Sequence, residues 1–372
     1  MKNKLTYMIG LVVLIAIALS VWNTSTKQSN VIRIGFVGPF TGNAASFGDF
    51  MERGLAIAKS ELTAEQLAHI QIIKEDDMCS GKNGVSVAQK LISVDHVNYV
   101  IGPLCNESSI ATEKLFEDNK VISISIGLPS NTIANMGPYH FSFSPEIEYL
   151  AKTVSSEILK RKLNHVGIIH IISTFEDENY QNFKKYFLQD GGTIVADEGV
   201  IKDSVDFKAA VLKIKQAKPD SLMIIARSGD LNNILKELNV QGLLGLPKFG
   251  IHAAETPILL QVKDLADGLI YPYPADKNGN GITKRYTEAY TQSYGSTPDL
   301  SSVNVYNAFN ILVSAIDKCG YENKKCVQEK LAGLKDYHGA SGDFSVDSRG
   351  VGTYKEIMLK TLKDGVFQKL EE

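Results

Sequence analysis

From residue 31 onward the chain alternates short, continuous apolar runs with longer stretches that turn apolar every third or fourth position. Residues 31–37 form the first compact run, and Met51, Leu55, Ala58 and Leu62 follow at helical spacing. A second strand is predicted over 71–74, a helix through Val85, Ala88 and Ile92, then strands over 99–101 and 121–125. A new series starts at Ser144 and Pro145, a cap and first-turn proline for a helix burying Ile147, Leu150, Ala151, Val154 and Ile158. The uninterrupted run 166–172 is what a parallel strand covered on both faces requires. Behind it come a helix with Tyr180, Phe183 and Phe187, a Gly191-Gly192 turn into a strand over 193–195, and a stripe of Phe207, Val211 and Ile214. A strand over 221–225 and a helix through Leu231, Ile234, Leu235 and Leu238 close the series. Two strand–helix series separated near residue 145 predict two doubly wound α/β domains. From Tyr271 the pattern is irregular, with Tyr-Pro-Tyr-Pro, then helices over 283–293 and 302–318 and hairpin-like segments over 339–346 and 354–362.

The length, 372 residues, suits two domains, and a formal net charge of −3 with scattered Lys and Arg excludes a nucleic-acid surface. Lys2 and Lys4 precede an apolar run over 5–22 with small residues at Ala18 and Ser20. This fits a secretory signal cleaved after Ser20 or, equally, an uncleaved N-terminal anchor ending at Trp22. No Cys follows the run, which excludes a lipid-modified N-terminal cysteine, and either reading exports residues 31–372. In that oxidising setting the four cysteines are expected to pair as Cys79–Cys105 and Cys319–Cys326.

Candidate catalytic chemistry is sparse. The seven His are dispersed, and there is no Gly-x-Ser-x-Gly, phosphate loop or dinucleotide fingerprint, so neither an enzyme nor a cofactor is expected. Without a CxxC pair or a His beside the cysteines, zinc is not expected either. Asp276-x-Asn278-x-Asn280-Gly281 begins like a calcium loop but has Thr287 at position twelve, so it reads as a polar turn. The polar loops just past successive strands are the better candidates, because open parallel sheets bind ligands there.

Several motifs fall in one order along the chain: Gly38-Pro39-x-x-Gly42-x-x-Ala45-x-x-Gly48, Asp76-Asp77-x-Cys79, and the run from Val100 through Gly102-Pro103-Leu104 to Cys105. Gly191-Gly192-x-x-Val195, Asp206-Phe207, Tyr294-Gly295-x-x-Pro298 and Gly339-x-x-Gly342-x-Phe344 follow. Together they resemble the type I periplasmic solute-binding proteins of the leucine/isoleucine/valine-binding group. The resemblance implies two Rossmann-like lobes joined by three crossovers, with 31–147 plus 277–355 in lobe one and 148–276 plus 356–372 in lobe two. It implies a small polar ligand (an amino acid, an amide or a small carboxylate) clamped between the lobes and shown to an ABC-type permease or a membrane receptor. Carried over position by position, it points to Phe47, Asn106, Ser108, Gly127, Pro129 and Phe175 as ligand lining. Asn106 stands where the family usually has Ser, Leu128-Pro129 where it has Ala-Thr, and Phe47 and Phe175 where Tyr is common. Ser130 is expected to supply the hydroxyl missing at Pro129. Arg227, where an aromatic is usual, is expected to face an anionic group of the ligand, and Glu255 to accept an ammonium.

Overall fold

The computed structural model describes residues 31–371 except 203, 257, 277, 278 and 356. Residues 5–22, expected from the sequence to be a signal or an anchor, lie outside the described residues; among those described, no helix is long and apolar enough to cross a membrane.

The first lobe opens with β1 (Ile32–Gly38), α1 (Ala45–Ser60), α2 (Ala64–His69), β2 (Ile70–Asp76), α3 (Gly81–Ser93) and β3 (Tyr99–Ile101). It continues with α4 (Asn106–Asp118), β4 (Ile122–Ser125), α5 (Asn131–Ala134) and β5 (His140–Ser142). The five strands form one parallel sheet in the order β2-β1-β3-β4-β5. Ile34, Tyr99, Ile101, Ile122 and Ile124 are fully buried, as continuous apolar strands between two helical layers must be.

The second lobe runs through α6 (Ile147–Lys160), β6 (His165–Ile172), α7 (Thr174–Gln189), β7 (Thr193–Ile201), α8 (Lys208–Ala217), β8 (Ser221–Ile225) and α9 (Ser228–Val240). Then come β9 (Lys248–Gly250), α10 (Lys263–Ala266) and β10 (Ile270–Asp276). The N-cap of α6 is Glu146, two residues past the predicted Ser144, which is buried.

The chain then returns to the first lobe as α11 (Gly281–Tyr294), α12 (Leu300–Cys319), α13 (Lys324–Ala332) and a small sheet of β11 (Tyr337–Gly339), β12 (Gly342–Val346) and β13 (Gly352–Tyr354). Helix α12 is apolar nearly all round, and its Val305, Phe309 and Leu312 share one core with Ile34, Met51 and Ile124. β14 (Ile357–Lys363) and β15 (Val366–Lys369) complete a seven-stranded sheet in the order β15-β14-β10-β9-β8-β6-β7. Three crossovers therefore join the lobes: β5 to α6, β10 to α11, and β13 to β14.

Two expectations change. The predicted hairpin over 354–362 is instead split between the lobes, with β13 pairing to β12 and β14 lying antiparallel to β10. The Tyr-Pro-Tyr-Pro stretch is strand β10 rather than irregular chain. Pro272 and Pro274 are two residues apart, so their missing N–H groups fall on one flank, where pairing to β9 has already ended at Ile270–Phe249.

The first crossover is braced by the β12–β13 loop and by β13, the strand that leads into the third. Ser142 N–H donates to the Gly350 carbonyl at 3.0 Å, and the Tyr354 hydroxyl donates to the Phe143 carbonyl at 2.9 Å. Arg349 forks onto Glu146 at 2.9 and 2.8 Å and also reaches Asp347. A Cβ on Gly352 would come within 2.6 Å of the Phe143 carbonyl oxygen, so only glycine lets these two connections lie this close.

Candidate ligand-binding cleft

The strands of the first sheet end at the same edge, and the loops after β1, β2, β3 and β4 supply walls of a cavity. After β1, Gly38-Pro39-Phe40 leads into α1, whose first turns bring Phe47 and Phe50 to the cavity. The loop is held by Asp76 at the end of β2, which accepts hydrogen bonds from Phe40 N–H (2.9 Å), Thr41 Oγ1 (2.5 Å) and Met78 N–H (3.0 Å). Burial alone would push the Asp76 pKa up, but these donors hold it below the ordinary carboxylate value. Asp77 turns inward, fully buried, and accepts from Cys79 N–H at 3.0 Å; burial raises its pKa despite that bond and the nearby Ser108 hydroxyl. The acidic turn thus shapes the rim.

Cys79 and Cys105 are disulfide-bonded with their Cα atoms 5.2 Å apart, joining the loop after β2 to the start of α4; Cys319–Cys326 is the second bridge. Asn106, the first residue of α4, lines the cavity, and its Nδ2 is buried with no hydrogen-bond partner. After β4, Ile126, Gly127 and Leu128 form the next wall. A Cβ on Gly127 would lie 2.2 Å from the Leu104 carbonyl oxygen, so glycine lets the loops after β3 and β4 touch.

The second lobe faces these loops. Ser173 caps α7, and Phe175 in its first turn lines the cavity with His252 packed edge-on at 5.5 Å between ring centroids. Arg227, at the end of β8, lies 4.5 Å over the Phe175 ring. Its Nε and Nη2 donate to Glu176 Oε1 and Oε2 at 2.7 and 3.2 Å, and Glu176 is itself buried against the Ser173 hydroxyl. Glu255 follows the short helical turn His252–Ala254. Its Oε1 accepts from Lys360 Nζ at 2.5 Å and its Oε2 from the Tyr271 hydroxyl at 2.8 Å. Both charged residues expected to grip ligand therefore already hold an opposite charge or donor from their own lobe. His252 is neutral, since burial first and Arg227 second push its pKa down to about 3.

The cavity enclosed by these walls has a volume of about 120 Å³ and takes residues from both lobes. Of the residues expected from the sequence, Phe47, Asn106, Gly127, Phe175, Arg227 and Glu255 line it. Ser108, Pro129 and Ser130 do not. Ser108 is buried behind α4, the Pro129 carbonyl receives Ile147 N–H, and the Ser130 hydroxyl caps α5 by accepting from Ile133 N–H at 3.1 Å. Two positions along a helix turn a side chain by roughly 200°, so Asn106 and Ser108 point to opposite sides.

The sequence reading missed Phe50, His252 and the segment Asp299–Leu300–Ser301, which also borders the cavity. Asp299 caps α12, with Oδ1 accepting from Ser301 and Ser302 N–H at 2.7 and 3.4 Å; Asp before Leu-Ser-Ser-Val is a legible cap signal, but its place in the cleft is not. Its Oδ2 is sealed from solvent with no partner, and burial raises its pKa to about 7. Across the mouth, Glu178 on α7 accepts from Asn131 N–H at the start of α5 at 3.0 Å, a contact between lobes.

No cluster of three or more His, Cys, Asp or Glu side chains suited to a metal is present among the described residues. Of the calcium-like loop, Lys277 and Asn278 lie outside those residues, while Asn280 caps α11 and donates to Asp343 at 2.6 Å.

Two doubly wound lobes on three crossovers, with one cavity built from the strand-end loops of both, define a type I solute-binding protein. The chain belongs to the periplasmic binding protein family, whose model matches residues 31–358. A leucine-, isoleucine-, valine-, threonine- and alanine-binding protein of Pseudomonas aeruginosa is 20% identical over 340 residues, covering 90% of this chain and 91% of its own. The structure of a leucine-binding protein from Thermotoga maritima superposes with a TM-score of 0.84 at 19% identity, over 92% of this chain and 98% of that one. A solute-binding protein from R. palustris in complex with benzoate superposes with a TM-score of 0.82 at 19% identity, over 91% and 95% of the two chains.

Proposed function

We propose that this protein is a non-enzymatic, exported receptor that clamps one small organic solute between its lobes and presents the closed form to an ABC-type importer. The observation that carries this reading is the cavity of about 120 Å³ whose walls come from both lobes, because such a site is complete only when the lobes are together. Its size suits one ring or one branched aliphatic group; a cavity of roughly 150 Å³ holds benzene. Phe47, Gly127 and Phe175 shape the apolar body of the site, and Asn106 at the N-terminus of α4 provides its polar side toward an acidic or carbonyl group. Arg227 and Glu255 border the ligand while held by Glu176 and Lys360; Ser108, Pro129 and Ser130 support the wall from behind. The ligand classes that fit are amino acids, amides and small carboxylates, and relatives named for aliphatic amino acids or solved with benzoates fall in the same range.

The apolar run over residues 5–22 favours a second reading, an anchored sensor with the same cleft, and N-terminal sequencing of the mature protein separates the two. A thermal-shift screen of the purified protein tests the binding reading. A true ligand at 100 times its Kd adds about 2.7 kcal/mol to stability. Turnover of any bound compound, or no shift across amino acids, amides and carboxylates, would overturn it.

A further inference from the structure

Among the described residues, Phe175 alone is a partly buried side chain packed on two hydrophobic cores. One is a core of the second lobe, with Val154, Ile168, Phe183 and Phe249. The other is the core of the first lobe, with Ile126, Leu128 and Phe309, extended by Ile147 and Leu150 at the start of α6. Phe175 stands in the first turn of α7, and three residues on Glu178 accepts Asn131 N–H from the first lobe at 3.0 Å. Residues three apart share one face of a helix, so the apolar contact and the hydrogen bond leave the same side of α7. The second lobe holds that face in place. The Arg227 guanidinium lies 4.5 Å over the Phe175 ring while forking onto Glu176, the next residue, and His252 packs on the ring edge-on at 5.5 Å. A side chain restrained in this way loses little further freedom when it meets the opposite lobe. All of these contacts are made by the chain itself.

We propose that the start of α7 is a latch that keeps the two lobes together without help from a solute, with Phe175 making the contact and Arg227 as the positioning residue that aims it. The latch rests on the solute-binding reading above, because it acts on the same two lobes, and it gives Arg227 a task other than gripping an anion. Phe175 supplies the apolar part of the closure and Glu178 the polar part. Arg227 fixes both neighbours in the helix at once, the Phe175 ring through its face and Glu176 through a fork. A solute enters the cleft only when this end of α7 lets go, so the latch sets the rate of association.

Small-angle scattering and amide hydrogen exchange of the full chain, with no compound added, test the latch, exchange being read at Asn131, whose N–H it covers. The native protein should scatter as a closed molecule and protect that amide. Phe175→Ala should raise the radius of gyration and speed Asn131 exchange roughly ten- to hundredfold, as expected for losing a buried aromatic contact, while Phe175→Leu should keep both near native. Arg227→Ala should speed the exchange roughly three- to tenfold. Adding Glu176→Gln removes the buried charge and so restores stability, but it cannot restore the cover over Phe175, and Asn131 should still exchange fast. A merely structural role for Arg227 predicts that exchange returns to the native rate in the double variant, which would overturn its assignment. If Phe175→Ala does not fold, the Arg227 variants decide. Native protein that scatters as an open molecule with an unprotected Asn131 amide, or native exchange in Phe175→Ala, overturns the latch. Opening by Glu178→Ala with none by Phe175→Ala assigns closure to the hydrogen bond and overturns it equally. No solute enters this test, so its failure leaves the solute-binding reading standing, and that reading fails separately in the thermal-shift screen.

Discussion

Arg227 and Glu176 meet in a two-pronged ion pair inside the cleft wall, Nε to Oε1 at 2.7 Å and Nη2 to Oε2 at 3.2 Å. Glu176 is 2% exposed, whereas the Arg227 side chain is 31% exposed. The guanidinium therefore neutralises a buried carboxylate before any ligand arrives. Arg227→Ala should destabilise the ligand-free protein by about 1–3 kcal/mol, the partial exposure of Arg227 holding the loss below that of a fully buried pair. Adding Glu176→Gln should recover most of the loss. Urea denaturation of the single and double variants measures both, and equal stability of Arg227→Ala and the native protein would show that the pair contributes nothing.

Glu178 bridges the lobes by accepting Asn131 N–H at 3.0 Å, and burial raises its pKa. Glu178→Ala should leave each lobe folded while shifting the population toward open forms, weakening ligand affinity roughly three- to tenfold. Small-angle scattering should show a larger radius of gyration for the ligand-free variant; an unchanged radius and affinity would mean that the contact does not bias closure.

Acid should unfold this protein partly through two histidines. Burial pushes His140 down to about 4, and burial with Arg227 pushes His252 down to about 3, from an ordinary value of 6.5. A depressed folded-state value means that the neutral forms contribute stability fully above pH 6.5. That contribution falls as the pH drops through the folded values. His252→Gln should flatten the stability profile between about pH 6.5 and 4, and the denaturation midpoints of variant and native protein should converge toward acid. Parallel profiles would contradict this.

Gly127→Ala places a methyl group against the Leu104 carbonyl, and because the obstacle is backbone the loops after β3 and β4 must separate. A loss of about 1–3 kcal/mol and a ligand shift that disappears are expected, read by thermal melts with and without ligand. A variant that still responds to ligand would show that the contact between these loops is dispensable.

The strands β1, β3, β4, β6 and β8 were legible because each is a short, predominantly apolar run, and the cysteine pairing because four cysteines fall into two local sets. Strand β10 was not legible: two prolines argue against a central strand until it is known that one flank carries no pairing demand. The loops that line the cleft could be read, but not which way each side chain turns, as Asn106 and Ser108 show. Charge partners were harder still. Arg227 and Glu176 are 51 positions apart, Glu255 and Lys360 are 105 apart, and no local pattern announces either pair. Asp299 announced itself only as a helix cap.

The route of the chain constrains the order in which it can become a receptor. The first lobe takes α11 to β13 from the last third of the chain, and the second lobe takes β14 and β15 after that. Until β14 exists, β10 is an open sheet edge, and Glu255 lacks Lys360. Neither lobe can settle while the ribosome is still extending it, and both finish almost together. A polypeptide woven in this way has all the strands of either sheet-bearing lobe's final topology only once nearly its whole sequence is available.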